Sequence, residues 1–229
     1  MQSTSIFPLS ERDESVTRFR SMPWKERFST GGSEARLHDL IVRRSQAAPA
    51  EREVIDARIW DLFGETWTIM FTDLAGFSRQ VAKFGIIHFL QTILESERLL
   101  FPVVEDHDGL VLKSEGDSFL AIFRNPVKAL QAARAMHHLL DDWNTERPHE
   151  ELVLLCVGLG HGRVLRVGDK DVFGAEVNAA SKLGEDDARA GEILATDAFV
   201  QAANVDPSQL ELLAKAPPGA KKAWRIVGG

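Results

Sequence analysis

Hydrophobic spacing changes several times along the chain, and each change marks an element. From Ser33, a residue suited to a helix N-cap, Leu37, Leu40, Ile41 and Arg44 fall on one side of a short basic helix that should stop near Ala48-Pro49. In EREVIDARIWDLFG the stripe Ile55, Ile59, Leu62 and Phe63 predicts a second helix closing at Gly64. At Trp67 the period drops to two, with Trp67, Ile69 and Phe71 alternating against Thr68, Met70 and Thr72, as in a strand. A long helix follows, with Ile86, Leu90, Ile93, Leu94 and Phe101 as its expected inner side. GLVLKSEGDSFLAIF reads as a hairpin, strands 109–113 and 118–123 around a turn at Ser114 to Gly116. Pro126 opens another helix through Leu130, Ala133, His137 and Leu140. ELVLLCVGLGHG is a buried strand, VNAASKLGEDDA a helix, and EILAT and KAWRIV short strands. Strand, helix, strand, strand, helix, strand is the split βαβ of ferredoxin-like α+β folds. The expected division is a loosely structured lead over 1–32, a short N-terminal helical extension over 33–64 and a main α+β domain, a ferredoxin-like βαββαβ core, over 65–229.

Composition narrows the class. At 229 residues with 44% hydrophobic and 27% charged residues the chain can bury a core of ordinary size, and collagenous or wholly disordered classes are excluded. Apolar runs such as LVLLCVG fall far short of the ~20 residues a membrane helix needs. The first twenty residues lack the apolar stretch of a secretory signal, and the single cysteine, Cys156, precludes an intrachain disulfide, so a cytoplasmic location and no membrane span are expected. With 27 Lys+Arg against 34 Asp+Glu, the formal charge of −7 disfavours nucleic acid as a partner.

Three segments can carry chemistry. Asp73 ends the first strand and is followed by Leu74, Ala75, Gly76, Phe77 and Ser78, a small-residue turn into a helix of the kind that offers N–H groups to phosphate. The same pattern is met by an Asp N-cap with a turn glycine. Asp117 lies in the hairpin turn beside the Asp73 strand, so two carboxylates on neighbouring strand ends can hold hard divalent cations; a Gly-Asp turn also serves purely local ends. In DVFGAEVNAASK, Asn178 and Lys182 share a helix face near Asp171, suiting a sugar and a phosphate or simply solvent.

Together, in unbroken order over roughly residues 66 to 227, these segments resemble the class III nucleotidyl cyclases. FTDLAGFS looks like the family's first metal motif, LKSEGDSFLAIF like its hairpin, and VGLGHGRVLRVG with DVFGAEVNAASK like its later strands and substrate helix. The resemblance implies that Asp73 and Asp117 are metal ligands for two Mg²⁺ or Mn²⁺ ions and that the backbone of Leu74 to Ser78 cradles a triphosphate. It also implies that Lys113 and Asp171 read adenine, where guanylyl enzymes usually carry Glu and Cys, so ATP is favoured. Asn178 would orient the ribose or transition state, and Lys215, with Lys221 or Lys222 as alternatives, would contact the terminal phosphates. Lys182 stands where arginine is usual, keeping the charge and losing the two-pronged donor. Glu115 stands where an apolar residue is usual.

The implied activity is an adenylate cyclase, converting ATP to 3′,5′-cyclic AMP and pyrophosphate. The family pattern sends metal site and base site to opposite sides of a two-fold interface, so a chain holding both half-sites implies a homodimer. The alternatives are a cyclase of other base specificity, using GTP or a pyrimidine nucleotide, and a non-catalytic nucleotide-binding domain. EGDSF faintly echoes the diguanylate cyclase signature but lacks its second acidic residue. Gly158, Gly160 and Gly162 are expected to end a strand without opening a helix, which disfavours a dinucleotide fingerprint, and His107 and His161 are assigned to turns and strand ends.

Overall fold

The structure, a computed structural model, describes residues 32–76, 83–148 and 151–228. Two compact units divide between Asp56 and Ala57. In the first, helix α1 (Ser33–Gln46) is followed by the start of α2 (Pro49–Phe63). Gly32, not Ser33, caps α1, and no side chain caps it. Arg44 pairs with Asp56, one contact being Nη2 to Oδ2 at 2.9 Å, and Arg52 Nε donates to Ala47 O, so the turn between the helices is tied by charge.

In the second unit, α2 runs directly into strand β1 (Gly64–Leu74), which starts three residues before the expected Trp67. Then come α3 (Ile86–Asp106), β2 (Gly109–Glu115), β3 (Ser118–Phe123), α4 (Pro126–Asn144) and β4 (Leu155–Val167). The order β2-β3-β1-β4 places β1 and β4 side by side at the centre, and β1 is antiparallel to both β3 and β4. This is the expected βαββαβ core. The chain continues through β5 (Asp171–Phe173), α5 (Ala175–Ser181), a π-helical turn (Lys182–Asp187), β6 (Ile193–Thr196), α6 (Asp197–Ala203), β7 (Leu210–Leu212) and β8 (Ala223–Ile226). β6 joins β4 in parallel, the order extends to β8 and β7, and β5 hairpins onto β4.

Both faces of β1 are covered. Met70 and Leu74 enter a core with Leu100 and Val104 of α3 and Leu130 and Met136 of α4, while Trp67 and Ile69 face Val164, Val172 and Ala180. Thr68 and Thr72 are fully buried because each finds a hydrogen bond, to His161 Nδ1 at 2.9 Å and to Phe119 at its N–H and O. α4 starts as expected, Pro126 at its head and the Asn125 side chain accepting from Val127 N.

The expected inner side of α3 holds at Phe101, which packs against the core, and fails towards the start of the helix. Ile86, Leu90 and Leu94 are exposed at 53%, 57% and 47%, and the buried residues are Phe89, Thr92, Ser96, Leu100 and Val104. Thr92 and Ser96 can be buried because their hydroxyls donate to the helix's own carbonyls, His88 O and Ile93 O. Hydropathy therefore pointed to the more apolar side rather than the packed one.

The glycines of VGLGHG do not end a strand. They lie inside thirteen-residue β4, and α5 rests on them: a Cβ at Gly158 would stand 2.1 Å from Ala180 O, and one at Gly160 2.6 Å from Glu176 O. The spacing of two that resembled a nucleotide fingerprint is a bare track along one face of a strand. His161 likewise sits in mid-strand rather than at a strand end, whereas His107 caps α3 with Nδ1 on Val103 O. Among the described residues no helix is long and apolar enough to cross a membrane.

Candidate active site

Asp73 is the penultimate residue of β1, its position fixed by pairing opposite Cys156. Asp117 follows Gly116, whose φ of +63° makes the tight turn between β2 and β3. Because β3 lies against β1, the two carboxyls come within electrostatic reach. Burial, then the charges of Asp117 and Glu185, and more weakly that of Asp186, push the Asp73 carboxyl up to about 7, against a hydrogen bond from Leu74 N–H. Asp117 is raised too, chiefly by burial, with its own N–H opposing. Among the described residues neither carboxyl forms an ion pair. Half-buried carboxylates without an ion-pair partner suit a divalent cation, which would offset the burial and the neighbouring charges that raise Asp73 and the burial that raises Asp117. No group of three or more His, Cys, Asp or Glu among the described residues is arranged to hold a metal alone. Two carboxylates plus phosphate oxygens is the donor set magnesium commonly takes. Cys156 plays no part as a thiolate, because burial first and the Asp73 charge next push its thiol up to about 11.

The phosphate loop differs from expectation at its start. Leu74 N–H is spent on Asp73, and Ala75 N–H donates to Leu154 O at 2.8 Å, so neither is open to a phosphate. Gly76 has φ +89° and open space where a side chain would be. Phe77 and Ser78 lie outside the described residues.

Lys113 lies on β2 four residues before Asp117, opposite Leu120 of β3. Its Nζ stands 3.2 Å from Asp171 Oδ2 and 3.7 Å from Glu115 Oε1, so residues 58 apart in sequence meet across β2 and β5. Asp171 Oδ1 accepts from Val172 N, which orients the carboxylate. Glu115 brings a second carboxylate to the lysine where an apolar side chain was the norm.

Asn178 is exposed on α5. Lys182 is not on the same regular helix, since α5 ends at Ser181 and the winding loosens into the π-helical turn. There the Lys182 ammonium pairs with Asp186, which raises its pKa, Asp187 and Glu185 adding to the effect. Lys215, Lys221 and Lys222 are all exposed on the β7–β8 connection, and nothing in the fold singles one out.

Sequence reasoning missed one residue near this site, Glu176. It lies in the first turn of α5, and its Oε2 accepts from His161 N at 3.1 Å and Thr196 Oγ1 at 2.7 Å. A lone acid on a helix over a glycine track is the only signal the sequence offered.

A mixed sheet brings Asp73 at the end of β1 near Asp117 in the β2–β3 turn, and Lys113 of β2 to Asp171 of β5, in an α+β domain. The family profile "Adenylate and Guanylate cyclase catalytic domain" matches residues 64–216, and the chain belongs to this family of class III nucleotidyl cyclase catalytic domains. It is 30% identical over 115 residues to "Putative adenylate cyclase 3" of Rhizobium meliloti, covering 50% of this chain and 19% of that protein. It is also 30% identical over 137 residues to "Serine/threonine-protein kinase pkn2" of Myxococcus xanthus, covering 60% of this chain and 16% of that one. The chain thus spans less than a fifth of these curated relatives. Among solved structures it resembles the adenylate/guanylate cyclase/hydrolase of Silicibacter pomeroyi, with TM-score 0.62, 22% identity and 72% and 98% of the two chains covered. The guanylyl cyclase Cya2 gives TM-score 0.59 at 18% identity, covering 72% and 94%. These likenesses establish the fold.

Proposed function

We propose that the chain is an adenylate cyclase, acting as a two-fold homodimer. The observation that carries the base preference is the Lys113–Asp171 pair at 3.2 Å. A carboxylate accepts from the exocyclic amine of adenine while an ammonium donates to a ring nitrogen, and guanine presents the reverse pattern. Asp73 and Asp117 of one chain would hold Mg²⁺ or Mn²⁺, and its partner would supply Lys113, Asp171, Asn178 and Lys182. The uncovered apolar side of α3, Ile86, Ile87, Leu90 and Leu94, is the kind of surface that association covers.

In the reaction the ribose 3′-oxygen bonds to the α-phosphorus, the bond to the bridging oxygen of the β-phosphate breaks, and pyrophosphate departs. Bound divalent ions supply positive charge to the phosphates and make the 3′-hydroxyl more acidic. Asn178 holds the sugar in attack geometry, and Lys182 and Lys215 offset charge on the transferring and leaving groups. The hydroxyl proton passes to a phosphate oxygen or water, no side chain in the matched segments being placed as a base.

The test supplies ATP, GTP, CTP and UTP separately with Mg²⁺ or Mn²⁺ and identifies the product. ATP should turn over best, giving 3′,5′-cyclic AMP and pyrophosphate. A better rate with another base would overturn the base assignment, and no cyclic product from any would leave a nucleotide-binding domain. Mixing Asp73→Ala with Asn178→Ala chains should recover part of the activity through one intact shared site; no recovery would count against the dimer.

A further inference from the structure

We infer that Glu176 is a positioning residue for this reaction, setting the depth and rotation of α5 and hence the place of Asn178; the inference rests on the cyclase reading. α5 has seven residues and Gly174 as a cap without a side chain, so it has little stability of its own and lies where tertiary contacts put it. The glycine track of β4 allows close approach but, lacking side chains, offers little to fix the helix along or around its axis.

Glu176 provides that fixing. β4 and β6 pair only from Val157–Ile193 to Leu159–Ala195. Two residues beyond, the His161 N–H meets the Glu176 carboxylate instead of a strand, at 3.1 Å. The same oxygen accepts from Thr196 Oγ1 at 2.7 Å, and Thr196, fully buried, accepts in turn from Phe199 N at the head of α6. One carboxylate therefore joins the first turn of α5 to β4, to the end of β6 and to the start of α6. Asn178, two residues on and about 200° further round the helix, faces outward as Glu176 faces in. A shift of the anchor moves the amide that holds the ribose, while Lys113 and Asp171, on β2 and β5, stay in place.

The geometry makes reach matter more than charge. Glu176→Gln keeps the length and one oxygen able to accept both bonds, and its kcat should stay within about 3-fold of wild type. Glu176→Asp keeps the charge but is one methylene too short, and its kcat should fall about 10-fold or more with KM for the nucleotide changed less than about 3-fold. Purified full chains are compared by kcat, KM and thermal unfolding midpoint. The order Gln above Asp, with KM held and both variants folded, supports the inference. Aspartate equal to or better than glutamine overturns it, as does a loss that merely follows unfolding. A wild-type chain that cyclises no triphosphate fails the cyclase reading and takes this inference with it, whereas turnover with the reversed order fails this inference alone.

Discussion

Two charged clusters meet the β2–β3 hairpin near its turn, one at Asp117 and one at Lys113, and they differ in how their charges are satisfied. At the Asp117 cluster neither carboxyl has an ion-pair partner among the described residues, and burial with the charges of Asp117 and Glu185 drives Asp73 to about 7. At the Lys113 cluster opposite charges already meet, Lys113 with Asp171 and Glu115. The first arrangement is poor until positive charge arrives, so it stores a preference for a ligand. The second is adequate by itself, and on the proposed reading a base entering there would have to take over hydrogen bonds the protein makes to itself. Because the pair is about one-third exposed on each side chain, it is worth on the order of 1 kcal/mol or less and is readily opened.

The sharpest way to break this contrast is at the acidic cluster. Asp73→Asn or Asp117→Asn should lower turnover by at least about 10³-fold, since each removes interactions worth several kcal/mol in the reacting complex. The same cluster should be visible in stability. With the folded Asp73 carboxyl at about 7 and its ordinary value at 3.8, the folded chain holds a proton the unfolded chain lacks between those values. Stability from this group is therefore full below about pH 4 and is lost as pH rises through about 7. Without divalent ions the unfolding midpoint should fall from about pH 5 to pH 8. Mg²⁺ should restore it at the upper end, and Asp73→Asn should remove both effects. A midpoint indifferent to Mg²⁺ at pH 8 in the wild type would show that the acids are not awaiting a cation.

A smaller effect is expected at the paired cluster, in selectivity rather than rate. Replacing Lys113 by Glu and Asp171 by Cys together should shift the ratio of kcat/KM for GTP over ATP upward by about 10- to 100-fold, because each base then meets or lacks matched hydrogen-bond partners. Paired rate measurements with both nucleotides decide it. An unchanged ratio would mean that the pair is a structural salt bridge and that the base is read elsewhere.

The two clusters were also unequally legible in the sequence. Strand periodicity located β1, the hairpin and β4, and with them Asp73 and Asp117, because these elements are long and their patterns local. The meeting of Lys113 with Asp171 depends on β5, three residues long and missed, as was β7, since so short a strand has no period to detect. What brought that pair together beforehand was family resemblance. α3 misled because its packed side uses Thr92 and Ser96, whose hydroxyls are satisfied within the helix. The role of Gly158 and Gly160 shows only when α5 lies across them, and Glu176 only when β6 is seen to stop short of it.

Lys182 stands between the two cases and gives the finest test of the contrast. It is a cation on the turn whose Glu185 and Asp186 act on Asp73, and it is already engaged by Asp186, with Glu185 and Asp187 adjoining. Glu185 and Asp186 also help to raise Asp73, so the same turn adds negative charge near that carboxyl. If Lys182 must leave Asp186 to meet a phosphate, Asp186→Asn should raise turnover by about 2- to 5-fold at low salt, the range of an exposed ion pair, and the gain should shrink as salt screens it. Lys182→Arg should keep the pair with Asp186 and add a second donor toward the phosphate. A turnover unaffected by Asp186→Asn at low salt would place Lys182 outside the reacting complex and leave the positive charge there to the exposed lysines of the β7–β8 connection.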